Sequence, residues 1–268
     1  MPDVRRTVGH LCCIERLMQM ELTNTVRKSE IKDVLKSLYT YRIEAHAHTN
    51  PASPCSQITP DKMVKTYKKL GFDAVVLTNH FVYYLLDGMT KQEAIDHYLR
   101  DYEECKRLGD EQGIKFYLGA EVRFDHESIN DYLLYGVDRE IIENIYDYLD
   151  KDLVTFRSNV KLEKSVFLQA HPFRNGMEQV DPSLIDGIET FNLHPGHNSR
   201  IGIATRFAKE CGFDIMTAGS DFHHPDQGHE GVGAIRTKIL PRDSFEFAEI
   251  LKSGDYLFEV GENSIVLP

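Results

Sequence analysis

His46 and His48 stand two residues apart in the stretch Arg42-Ile43-Glu44-Ala45-His46-Ala47-His48-Thr49, which reads as a short strand. Alternate residues of a strand face the same side, so both imidazoles are aimed into one space. Two adjacent neutral ring nitrogens are a common grip on a divalent metal ion. A pair this short arises by chance in many proteins, and its meaning depends on what the rest of the chain supplies. His80, Glu121, His171, His194, His197, Asp221 and His223 follow apolar runs of strand length. Histidines and carboxylates together suit zinc, manganese or iron, with a carboxylate bridging two ions. Arg174 and Arg200 lie just past strand ends as well, and the planar guanidinium fork fits phosphate oxygens.

The elements that must position these residues alternate along the chain. Residues 1–40 read as an N-terminal extension, partly helical, ahead of a main domain over 41–268. Ser29 caps an expected helix over 30–38, with Ile31, Val34, Leu35 and Leu38 on one face. Thr59-Pro60-Asp61 is a helix start that Gly71 ends. Strands are expected at 72–78, 114–120, 165–170, 187–191 and 214–218. Helices are expected at 91–111, closed near Gly113, and at 139–149, about 198–211 and 244–252. Such alternation implies a parallel sheet, open or closed into a barrel. In folds of this kind the C-terminal strand ends carry the chemistry.

Composition narrows the classes. At 268 residues and 41% hydrophobic content, the chain fits one large domain with an ordinary core. No apolar run approaches the roughly 18 to 20 residues of a membrane-spanning helix. Arg5, Arg6 and Asp3 near the start do not resemble a signal peptide, so a cytoplasmic location is expected. The five cysteines are an odd number without framework spacing and read as reduced thiols. A formal charge of −11 argues against long nucleic acids as partners. It leaves room for a small phosphorylated substrate, because bound metal is a strong local positive charge.

Five motifs then fall in one order: His46-x-His48, Thr78-x-His80, Gly119-x-Glu121, His171-Pro172 and Gly219-Ser220-Asp221-x-His223. Together they resemble the polymerase and histidinol phosphatase (PHP) family of metal-dependent phosphoesterases, over about residues 41–237. The resemblance implies an α/β fold, a distorted (β/α)7 TIM-like barrel with two or three divalent ions (zinc, manganese or iron) at the C-terminal rim. It implies His46, His48, Glu121 and Asp221 on one ion, Glu121 bridging to a second with His171, and His80 with His223 on a third. The chain departs from the pattern in three places. The loop after His-x-His reads Pro51-Ala52-Ser53-Pro54-Cys55 where many members have an aspartate. Asn130 stands where many have a histidine, which leaves His194 or Asn130 to complete the second site. Asn79 replaces an acid before His80.

The expected activity is hydrolysis of a small phosphomonoester or nucleotide-like phosphate by metal-activated water. Arg174 and Arg200 would clamp the phosphate, and His197 or His194 would protonate the leaving alkoxide. An amidohydrolase-type C–N hydrolase also begins with His-x-His on a barrel strand, and a non-catalytic metal- or nucleotide-binding module of the same fold is the third reading. His10, His97, His126, His224 and His229 read as solvated.

Overall fold

The helical period at 30–38 is realised in the computed structural model, which describes residues 28–124, 128–225, 228, 231–261 and 264–268. Helix α1 covers Lys28–Leu38. Leu35 and the following Tyr39 pack on Leu257, and the Tyr39 hydroxyl donates to Asp255 (2.7 Å). The earlier part of the expected extension, residues 1–27, lies outside the described residues. Next come β1 (Tyr41–Ala47), α2 (Pro60–Lys69), β2 (Ala74–Leu77), β3 (His80–Val82), α3 (Lys91–Gln112), β4 (Lys115–Leu118), β5 (Ala120–Arg123) and β6 (Tyr132–Tyr135). The second half holds α4 (Arg139–Tyr146), α5 (Leu153–Asn159), β7 (Val166–Gln169), β8 (Gly187–Asn192), α6 (Ile201–Cys211) and β9 (Ile215–Gly219). It ends with β10 (Gly233–Thr237), α7 (Ser244–Ser253), β11 (Leu257–Val260) and β12 (Ser264–Val266).

Local chemistry sets the helix boundaries. Thr90 and Glu93 form a reciprocal capping box at the start of α3. The expected helix at 139–149 ends at Tyr146. Asp152 then accepts from Thr155 N (2.9 Å) and starts a separate helix, α5. None of the described helices is long and apolar enough to cross a membrane.

The strands depart from a single closed barrel. Among the described residues two six-stranded sheets form, in the orders β12-β11-β10-β1-β2-β4 and β3-β5-β6-β7-β8-β9. Both are mixed: β1 pairs with β2 in parallel but with β10 antiparallel, and β6 runs antiparallel to both β5 and β7. No closed ladder runs through the described strands. The reason lies at the ends of two expected strands, each of which is followed at once by a further strand. β2 gives way to β3 across Thr78-Asn79, and β4 to β5 across Gly119, so both segments pass from one sheet into the other. A Cβ on Gly119 would lie 2.8 Å from Val76 Cγ1 and 2.9 Å from Thr78 Cγ2, so the crossing needs a residue without one.

The sheets meet again beside β1. Ala47 bridges Phe222 in parallel, Phe222 N donates to His46 O (3.3 Å) and His48 N donates to Phe222 O (3.0 Å). Gly219 lies so close that a Cβ there would stand 2.4 Å from His46 Cβ. This seam carries the end of β9 up to the His-x-His segment.

In the second sheet β8 approaches β9 closely at Gly187, where a Cβ would meet Ile215 O at 1.9 Å. Gly187→Ala is expected to destabilise the fold by about 1–3 kcal/mol, the usual cost of overpacking. Gly202→Ala, with open space around it in α6, should be neutral or slightly stabilising. Urea unfolding of both variants checks this, and equal midpoints would contradict it.

Candidate metal centre

Each candidate ligand is delivered by a strand or by the residues flanking one. His46 lies inside β1, and its N–H donates to Glu44 Oε1 (3.0 Å). Glu44 also accepts from Ser220 N (3.0 Å), Ser220 Oγ (2.6 Å) and Tyr67 Oη (2.8 Å). These bonds fasten β1 to the segment leaving β9. Burial pushes the Glu44 carboxyl up from its ordinary value, with the hydrogen bonds opposing.

A second network holds His48 and His80. Ser53 Oγ lies 3.3 Å from His48 Nδ1, donates to Asn79 Oδ1 (3.0 Å) and accepts from His80 N (2.8 Å). Asn79 in turn accepts from Thr49 N (2.7 Å) and donates to Thr49 Oγ1 (2.9 Å). The asparagine that stood out in the sequence therefore shapes the loop after His48.

Glu121, on β5, is the hub. Its Oε1 faces His46 Nε2 (3.4 Å) and His171 Nε2 (3.1 Å), while Oε2 faces His48 Nε2 (3.4 Å) and His80 Nδ1 (2.9 Å). Asp221 Oδ1 lies 3.5 Å from both His46 Nε2 and His48 Nε2, and 3.3 Å from His223 Nδ1. Burial would raise Glu121, yet the charges on His80 and His46 hold it well below the carboxylate range. Burial opposes ionisation of Asp221 in the same way and is likewise overcome, chiefly by His46. His48 is pushed the other way, well below its ordinary value, by burial and then by the charges of His223 and His80.

Glu189, on β8, anchors two of these histidines. Its Oε1 lies 2.8 Å from His46 Nδ1, and its Oε2 accepts from His171 N and from Asn192 Nδ2, each at 3.0 Å. Such an anchor fixes which nitrogen of His46 faces the centre. His171 and Asp221 adopt left-handed backbone, with φ of 29° and 51°. That costs a non-glycine residue about 1–3 kcal/mol and persists where surrounding bonds enforce it.

Among the described residues, three groups have ligand atoms within 4.8 Å of one another: His46, His48 and Asp221; Glu121, Asp131 and His171; and His48, His80 and His223. Buried His46 Nε2, His48 Nε2, Glu121 Oε2 and His171 Nδ1 make no well-aligned hydrogen bond. Buried polar atoms are rarely left so, and a coordinated cation would satisfy this donor set. The residues fit divalent metal.

Other expected positions find different settings. His194 Nδ1 accepts from Gly196 N (3.0 Å), and His194 joins none of the three groups. Asn130 Oδ1 accepts from Glu178 N (2.9 Å), a structural bond. The neighbouring Asp131, missed from the sequence, joins Glu121 and His171, held by Arg123 through bonds of 2.9 and 3.0 Å. Arg174 reaches the centre: its Nη2 donates to Asp221 Oδ2 and to Asn192 Oδ1 (2.9 Å). Arg200 clamps the loop after β7, through Phe173 O and Asn175 Oδ1, both at 2.5 Å. His197 is exposed beside His194, ring centroids 4.8 Å apart. Glu44, Glu189 and Asn192 were not among the expected site residues; for Glu44 and Glu189 the one visible signal is an acid inside an expected strand.

A family model described as the PHP domain matches residues 44–198. Among solved structures, a two-domain protein from Bacteroides vulgatus containing a predicted PHP-like metal-dependent phosphoesterase is 17% identical, with a TM-score of 0.57, over 83% of this chain. This chain spans 65% of that protein's length. PsfC from Pseudomonas syringae is 16% identical with a TM-score of 0.55, over 85% of this chain and 91% of its own. At such identities the likeness is one of fold. Among curated proteins none matches the sequence.

Glu189→Ala is expected to weaken zinc binding about 10- to 100-fold, the usual effect of removing a ligand's anchor, while Asn130→Ala leaves it unchanged. Competition with a coloured chelator measures both; an unaltered Glu189→Ala affinity would deny the anchoring role.

Proposed function

This chain belongs to the PHP domain family, and from that premise we propose that it is a metal-dependent phosphoesterase acting on a small phosphorylated substrate. The observation that carries the reading is Glu121, a buried carboxylate with four imidazoles divided between its two oxygens. One carboxylate faced in this way suits a shared ligand between neighbouring cations. His46, His48, Asp221 and Glu121 would hold one ion, Glu121, His171 and Asp131 a second, and His80 with His223 a third. Zinc, manganese and iron all suit this donor set. When bound, such ions lower the pKa of water toward neutrality and neutralise charge on a phosphoryl group.

The remaining roles fall to the chain's own side chains. Glu189 and Glu44 orient His46, and Asn192 orients Asp221. Arg174 brings a half-buried guanidinium whose buried Nε has no hydrogen-bond partner, and its fork is assigned to the non-bridging phosphate oxygens. Arg200 is assigned to positioning the loop that carries Arg174. Burial brings His194 down to about 4 and lowers His197, so both are neutral near pH 7. A role as proton donor to the leaving alkoxide would therefore draw on a protonated minority and weaken as pH rises. Within this reading the two sheets together stand for the family's distorted (β/α)7 barrel. The free thiols Cys55, Cys105 and Cys211 accord with a reducing cytoplasm.

The test is a panel of phosphomonoesters, phosphodiesters and lactams with metal-reconstituted protein. Phosphomonoester turnover is expected, lost in His46→Ala and in Asp221→Ala with the fold intact by circular dichroism. Turnover of lactams alone, or full activity in either variant, would overturn the proposal. Arg174→Lys keeps the charge but loses the fork, and should lower kcat/KM about 100-fold at unchanged metal content.

A further inference from the structure

The loop between β1 and α2 brings one thiol to the edge of the centre. Its backbone is fixed on both sides of Cys55. On one side, Ser53 N donates to Thr49 O (2.8 Å) and Ser53 Oγ holds His80 N (2.8 Å). On the other, Gln57 N and Ser56 Oγ donate to His223 O at 2.9 and 3.2 Å. The segments on either side of Cys55 are thus tied to two of the three histidines of the third group, His80 and His223. The side-chain groups that act most strongly on the Cys55 thiol are the imidazoles of His223 and His80. The His48 ring stacks on both of these histidines, at centroid distances of 4.5 and 4.1 Å. His48, His80 and His223 offer atoms within 4.8 Å of one another, and His48 Nε2 is buried without a hydrogen-bond partner.

We propose that Cys55 is a thiolate ligand of the cation held by His80 and His223. The proposal rests on the metal-centre reading above and deepens it. A sulfur beside two imidazoles is a softer donor set than the carboxylate-rich groups around Glu121 and Asp221. This position therefore selects zinc, or another thiophilic ion, over magnesium, calcium or manganese. On binding, the thiol proton leaves to solvent and sulfur donates its electron pair to the ion. The ions of the centre are then not equivalent: the one at Cys55 is distinguished by a sulfur ligand at the exposed mouth of the site.

Cobalt(II) added to the metal-free full chain reads the two levels separately. Visible d–d bands report that the centre loads at all, and a near-ultraviolet sulfur-to-cobalt charge-transfer band reports a thiolate ligand. The proposal expects both in the wild type. Cys55→Ser should lose the charge-transfer band, keep the d–d bands, and hold one equivalent less of tightly bound zinc. Cys211→Ser should match the wild type. Wild-type d–d bands without charge transfer, or charge transfer surviving in Cys55→Ser, would overturn the thiolate assignment while sparing the centre. Absence of d–d bands and of stoichiometric uptake would overturn the metal-centre reading itself. Alkylation with iodoacetamide gives a readout on the unmutated chain. Zinc should protect the Cys55 peptide, and labelling unaffected by zinc counts against the proposal.

Discussion

Glu44, Glu121, Glu189 and Asp221 are each at most 2% exposed and are crowded together. Two unit charges 4 Å apart interact by about 4 kcal/mol at the effective dielectric of a protein surface, and more strongly deeper inside. A cluster of buried carboxylates can exist only where donors and cations compensate it, and the local architecture follows from meeting that demand. The four acids meet it in two ways. Glu44 commits both oxygens to backbone N–H groups and hydroxyls. Glu189 spends its oxygens on a backbone N–H, an amide and one imidazole. Glu121 instead turns both oxygens to imidazoles, and Asp221 gives one oxygen to imidazoles and the other to Arg174 and Asn192. The first pair builds the frame, and the second is left to bind.

The same demand explains why much of the centre was legible in the sequence and part was not. His46 and His48 announce themselves by alternation along one strand, and His80, Glu121, His171, Asp221 and His223 by following apolar runs. The helix signals at Thr59-Pro60 and Thr90 are local chemistry and were equally visible or recoverable. Asp131 was passed over for its neighbour Asn130, a slip of one position. In a strand-like segment such a slip turns every side chain to the other face. The run Tyr132–Tyr135 shows no alternation, because β6 is buried throughout between two neighbours, so nothing local fixed its register.

Non-local pairing accounts for the rest. Nothing in a window of sequence says that Glu189 will meet His46, or that Arg200 will be used up on Phe173 and Asn175. The barrel expectation failed to become one closed sheet for a similar reason. Thr78-Asn79 and Gly119 look like ordinary strand ends, and only their mutual packing makes them crossings between sheets.

The seam beside β1 has a consequence for how the molecule comes to exist. Ser220 and Glu44 are bonded across 176 residues of chain, and Phe222 pairs with His46 and His48 over a similar span. Closing so long a loop carries an entropic cost that must be met before the contacts reward it, and pairings of this kind form slowly. The ligand cluster is therefore a late, whole-chain event in folding. A partly made chain, still short of β9, carries His46 and His48 without the carboxylate that completes their group.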